Sequence, residues 1–119
     1  MMNKEEAKVL MDTARHEYHE WRNQQRKNLT GFFVIYNTFK DSGILKNISG
    51  NACRLYVYLG IVSKNETGES WYSADSIAEY FDCDKRSVKR WFEELEEEGL
   101  IIRVQKGVMR AANTFLKPY

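Results

Sequence analysis

SADSIAEYFDCDKRSVKRWFEELEEEGLI, residues 73–101, reads as two helices separated by a three-residue break. Ser73 is placed to cap a short helix over 74–81, with Ile77, Ala78 and Phe81 pointing inward. Asp82-Cys83-Asp84 interrupts it. Asp84 suits the N-cap of a second helix over 85–98, and Gly99 is placed to end that helix in the left-handed conformation. Val88, Trp91, Phe92 and Leu95 lie on one stripe of the second helix, and Ala78 is the small residue that lets the two helices approach closely.

The charges of the second helix run in an unusual order. Lys85, Arg86, Lys89 and Arg90 crowd its first half, and Glu93, Glu94, Glu96, Glu97 and Glu98 fill its second. A helix macrodipole favours the reverse, by about 0.3–1 kcal/mol for each well-placed charge. Lys85 with Lys89, and Arg86 with Arg90, are also like-charge pairs one turn apart, which weakens an isolated helix. Lys89–Glu93 and Arg90–Glu94 compensate only in the weaker orientation. Such an order serves a helix whose first turns meet a polyanion.

The flanking segments supply a context. Ser49 reads as the N-cap of a helix over 50–63, with Ala52, Leu55, Tyr56, Leu59 and Val62 on one face. SKNETGES, residues 63–70, is a polar turn, and Trp71-Tyr72 a brief extended piece. Beyond Gly99, Leu100–Gln105 and residues 111–116 read as two strands joined by a glycine-containing turn over 106–110. Upstream, residues 4–27 lack proline and glycine, and Ala7, Met11, Ala14, Tyr18 and Trp21 recur at heptad spacing. That stripe suits either packing on its own domain or dimerisation. Phe32–Tyr36 suits a short strand or an extended arm, and Asp41-Ser42-Gly43 is a turn signal.

The order is therefore helix, helix, short strand, helix, tight turn, helix, hairpin. The expected fold class is mainly α with a small β-hairpin wing: a winged helix-turn-helix preceded by an extra N-terminal helix. The expected division is an N-terminal helix and aromatic arm over 1–48, with a possible dimerisation role, and the winged helix-turn-helix over 49–119. In such a unit the first helix braces the second, which lies in the DNA major groove with its N-terminal residues at the base edges. The candidate DNA-binding residues are Lys85, Arg86, Lys89 and Arg90, with Ser87 beside them at the helix entrance. On or near the wing, Arg103, Lys106 and Arg110 are placed for flanking phosphates or the minor groove, Lys106 and Arg110 best because they lie nearest its tip.

Bulk composition narrows the partners. The chain has 119 residues, 43% hydrophobic and 29% charged, with net charge +1. Residues 49–119 carry ten lysines and arginines against eleven aspartates and glutamates, so affinity for a polyanion rests on where charges lie rather than on their number. No apolar run approaches a membrane span, and MMNKEEAKVL at the start is too charged for a signal peptide. A cytoplasmic protein with no membrane partner is expected. The partners are double-stranded DNA and, through residues 4–27, a second copy; the alternative function is a winged-helix protein-interaction module using the acidic helix end or the N-terminal helix.

The stretch from Ser73 to Ile101, with Tyr72-Ser73 before it and Asn113-Thr114-Phe115-Leu116 closing the hairpin, resembles winged helix domains of plasmid and phage replication proteins and related regulators from Gram-positive bacteria. The resemblance covers roughly residues 49–117. It implies sequence-specific binding to duplex DNA through positions 85–90, in transcription control or plasmid or phage replication, and it implies that Cys83 fills a small apolar pocket. Two departures stand out. Asp82 occupies the usual turn glycine position, where aspartate tolerates the left-handed region better than most residues. Asp84 replaces the usual capping serine and adds a negative charge beside the proposed DNA surface.

Other chemistry finds little footing. His16 and His19 in RHEYHE miss the spacing of a HExxH metal motif, so no metal is expected. Cys53 and Cys83 have no CxxC partner and read as reduced thiols. No phosphate-binding, dinucleotide-binding or nucleophile motif is present, so neither a cofactor nor an enzyme is expected. Trp71 and Tyr72 are expected in the core rather than as a base-stacking platform.

Overall fold

The computed structural model describes residues 1–105, 107 and 112–119. The chain divides into two compact units, Met1–Phe32 and Phe33–Tyr119.

The first unit is one helix, α1 (Lys4–Lys27), followed by a short irregular segment. Asn3 caps it by accepting the Glu6 amide at 2.8 Å. Glu5 and Glu6 stand in its first turn and Arg26 and Lys27 in its last, the order the macrodipole favours. None of its residues is buried, and Met11, Tyr18 and Trp21 of the heptad stripe are exposed.

In the second unit, residues 33–36 form an irregular arm rather than a strand. Two single-turn helices follow, α2 (Thr38–Asp41) and α3 (Ile44–Asn47), which sequence periodicity did not reveal. Then come α4 (Gly50–Val62), β1 (Glu69–Ser70), α5 (Ala74–Phe81), α6 (Lys85–Glu97), β2 (Ile101–Val104) and β3 (Asn113–Leu116). The strands form an antiparallel sheet of order β1-β3-β2, with Ile101 opposite Leu116 and Glu69 opposite Phe115. The brief extended piece expected at Trp71-Tyr72 thus lies two residues earlier.

One core joins these elements: Phe39, Ile48, Ala52, Leu55, Tyr56, Leu59, Ala74, Ile77, Ala78, Val88, Phe92, Leu95, Leu100 and Ile101. Val62, expected on the inward face of α4, is only half-buried at the helix end. Gly60 is buried because the Phe33 ring lies on it; a Cβ there would sit 2.3 Å from that ring. The arm is thus pinned to α4 by a residue without a side chain. The fold is a winged helix-turn-helix: mostly helical, with a long N-terminal helix and a small three-stranded sheet whose first strand precedes the helix pair and whose other two follow it.

Candidate nucleic-acid interface

The α5–α6 pair is assembled by its own caps. Ser73 Oγ accepts the Ser76 amide at 3.1 Å, and Asp84 Oδ1 accepts the Ser87 amide at 2.7 Å. That backbone bond, with help from the Ser87 side chain, Arg90 and Arg86, holds the Asp84 carboxyl below its ordinary range. Asp82 takes up the left-handed conformation (φ 53°, ψ 48°) and donates its N–H to carbonyls at the end of α5. The Cys83 amide closes the turn on the Ala78 carbonyl at 3.0 Å. Ala74, Ile77 and Ala78 of α5 and Val88, Phe92 and Leu95 of α6 are buried. Trp91 is half-buried at the rim, edge-on to Phe81 with ring centroids 5.8 Å apart.

With the apolar stripe turned inward, Lys85, Arg86, Lys89 and Arg90 are all exposed on the first turns of α6. They are not equivalent. Lys85 Nζ lies 3.3 Å from Asp75 Oδ2 in the first turn of α5. Arg90 donates from Nη2 to Ser87 Oγ at 3.2 Å, so the half-buried Ser87 hydroxyl already orients an arginine. Arg86 and Lys89 make no hydrogen bond or ion pair with any described residue. Lys106 and Arg110 lie outside the described residues.

Arg103 departs from the expected wing position facing a phosphate. Its guanidinium lies 3.9 Å over the Phe92 ring. Burial there lowers its pKa, opposed by Glu96. The acidic half of α6 also has a structural member that charge pattern alone conceals. Glu94 Oε2 accepts the Ser49 amide at 2.6 Å, reaching the N-terminus of α4. A serine N-cap one residue before a helix, and a glutamate on the face of α6 toward it, were the only signals.

Trp71 and Tyr72 are exposed, not core, because β1 ends before them and they follow it out of the sheet. Lys64 Nζ lies 4.9 Å over the Trp71 ring, and Tyr72 meets Tyr58 edge-on at 5.8 Å. Tyr58, Tyr80 and Phe81 continue this aromatic surface into an apolar groove of about 560 Å³ along α4, with Arg54 4.8 Å over Phe81. Cys53 and Cys83 are free and half-buried. Among the described residues no three His, Cys, Asp or Glu side chains converge as a metal site, and no helix is long and apolar enough to cross a membrane.

Residues 46–101, which span α4 through α6, match a family described as a helix-turn-helix domain. Among solved structures, a chain of a Rep–DNA complex has a similar fold, with TM-score 0.56 and 20% sequence identity over 79% of this chain and 80% of that one. The N-terminal domain of a DNA-binding protein is similar too, with TM-score 0.55 and 21% identity over 79% of each chain. Comparison with curated proteins gives no match.

Proposed function

We propose that this chain binds duplex DNA sequence-specifically by inserting the first turns of α6 into the major groove, acting in transcription control or in plasmid or phage replication. The observation that carries this reading is the contrast between two helices of one chain. In α1 the charges follow the macrodipole, whereas α6 has no acid in its first turn, no base in its last, and four exposed cations at its start. Arg86 and Lys89 are the primary base or phosphate contacts, since neither is held in a hydrogen bond or ion pair by a described residue, and Asp84 acts on Arg86 only through its charge. Lys85 and Arg90 join after releasing Asp75 and Ser87, and Lys106 and Arg110 add backbone contacts from the wing. A chain of similar fold from a Rep–DNA complex supports the same use of the scaffold.

Two copies bind a two-fold site, joined through the exposed apolar stripe of residues 4–27. Sedimentation at tens of micromolar tests this part, and a monomer there defeats it. The competing reading, an interaction module that presents the acidic end of α6, draws on Glu93, Glu96, Glu97 and Glu98, which are exposed. It loses Glu94, which is committed to Ser49.

Fluorescence anisotropy decides between them. Duplexes enriched from a randomised pool are titrated across about 50 to 200 mM salt, beside a Lys85/Arg86/Lys89/Arg90→Ala variant confirmed folded by circular dichroism. A DNA-reading helix gives affinity that falls by orders of magnitude over that range and collapses in the variant. Salt-insensitive or absent binding transfers the case to a protein partner.

A further inference from the structure

We propose that this chain has a second nucleic-acid surface: the aromatic band along α4 and the end of α5 holds single-stranded DNA by stacking its bases. The inference goes beyond the duplex reading and stands on different residues. Tyr72, Tyr58, Tyr80, Phe81 and Trp91 form an unbroken run of ring contacts, with centroids 5.0 to 5.8 Å apart. Tyr58, Phe81 and Trp91 are half-buried against the core, which fixes the base of the band. Tyr72 and Tyr80 stand out from it, 44% and 68% exposed. Rings already set by packing lose little freedom when a base settles on them. The run continues into the groove of about 560 Å³, whose lining comes from α4 and α5 and includes no residue of α6.

The charges select the occupant. Among the described residues lining the groove, Arg54 alone is charged. It lies 4.8 Å over the Phe81 ring, and Lys64 lies 4.9 Å over Trp71, the residue before Tyr72. Both cations are exposed, and neither forms an ion pair with a described residue. A ring face attracts a cation without neutralising it, so each keeps its charge for a phosphate. Glu79, exposed next to Tyr80 in sequence, is not among the residues lining the groove. An apolar peptide would fill the groove and leave both cations unanswered. A duplex would answer the cations and keep its bases stacked inside. A single strand presents both parts, base faces for the rings and phosphates for Arg54 and Lys64.

The test uses the full chain and three labelled probes: a thymidine strand of about twenty nucleotides, an abasic strand of the same length and charge, and the duplex selected in the experiment above. Anisotropy is read across the same salt series, after circular dichroism confirms that each variant is folded. Wild type is expected to bind the thymidine strand at least about tenfold more tightly than the abasic one, since only the former can stack. Tyr72→Ala and Tyr80→Ala should each weaken the thymidine strand at least about fivefold and leave the duplex within about twofold. Tyr80→Phe keeps the ring and should stay within about twofold of wild type. Arg54→Gln should lower the salt slope for the single strand by about 0.7. Equal affinity for the two single strands, or alanine variants that hold the thymidine strand as wild type does, would overturn the proposal by reducing binding to charge. No binding of the thymidine strand at the lowest salt overturns it too, and gives the groove to a protein partner. A chain that binds the thymidine strand but not the duplex sinks the duplex reading alone; the reverse sinks this proposal alone.

Discussion

Glu94 Oε2 and the Ser49 amide nitrogen are 2.6 Å apart, the one side-chain hydrogen bond among the described residues that ties α6 to the start of α4. Ser49 in turn caps α4 through its hydroxyl, which accepts the Ala52 amide at 3.1 Å. Removing the carboxylate leaves the Ser49 amide to water and loosens the helix that backs α6. Glu94→Ala is expected to cost about 1 kcal/mol and Glu94→Gln less, since the amide oxygen still accepts. Urea denaturation checks both, and two variants as stable as wild type would show the contact to be idle.

Gly60 and Phe33 make a sharper case, because their substitutions should not add. With Phe33 present, Gly60→Ala drives a methyl into the ring, at 2.3 Å, and should cost about 1–3 kcal/mol as the arm is pushed off α4. In a Phe33→Ala background the ring that blocks the methyl is gone, and the same change should stabilise α4 by about 0.5–1 kcal/mol, the ordinary advantage of alanine over glycine inside a helix. A double-mutant cycle reads the change of sign.

Arg103 is expected to behave as a packing residue. Its guanidinium covers Phe92, and its Nε is buried without a hydrogen-bond partner among the described residues. Arg103→Ala uncovers the ring and should cost about 1–2 kcal/mol. Arg103→Met keeps an apolar cover and removes the buried donor, so its stability should stay within about 1 kcal/mol of wild type. If Arg103 instead reached DNA, Arg103→Met would reduce the salt slope of binding by about one; the geometry predicts no change.

Alkaline pH offers an independent check on the core. Burial, and secondarily Tyr119, push the Tyr56 hydroxyl up to about 12. An unfolded tyrosine ionises near about 10. The folded state therefore keeps a proton that the unfolded chain gives up. This contribution is fully present below pH 10 and is lost as pH rises toward 12. Thermal melts of wild type should show Tm falling across that window, with a shallower fall in Tyr56→Phe. Near neutral pH, where both states keep the hydroxyl protonated, the variant should lie within about 1 kcal/mol of wild type.

How far the fold could be read in advance follows from how local its determinants are. Ser49, Ser73 and Asp84 each cap the helix that follows, while Asp82 and Gly99 take the left-handed conformation at the ends of α5 and α6. These are short-range chemical choices, visible in any window of a few residues. What escaped depends on partners distant in sequence. The first strand is Glu69–Ser70 rather than the more strand-like Trp71-Tyr72, because pairing with Thr114 and Phe115 decides it. α2 and α3 are single turns, too short to carry a period. On the candidate interface, the four exposed cations of α6 were legible from spacing. Their sorting into held and unheld was not, since Asp75 belongs to another helix and the Ser87 hydroxyl turned out to be engaged by Arg90.

The strand order β1-β3-β2 bears on how the protein is made. β3 is the last of the three strands to leave the ribosome, yet it is the central one, paired with Glu69–Ser70 on one side and Ile101–Val104 on the other. Until Asn113–Leu116 has emerged, both earlier strands are bare edges and Leu100 and Ile101 have no sheet to seal them into the core. Synthesis therefore delivers the helix pair first and its buttress last. The residues of α6 are thus all in place in the chain before the strand that β1 and β2 both pair with has been made.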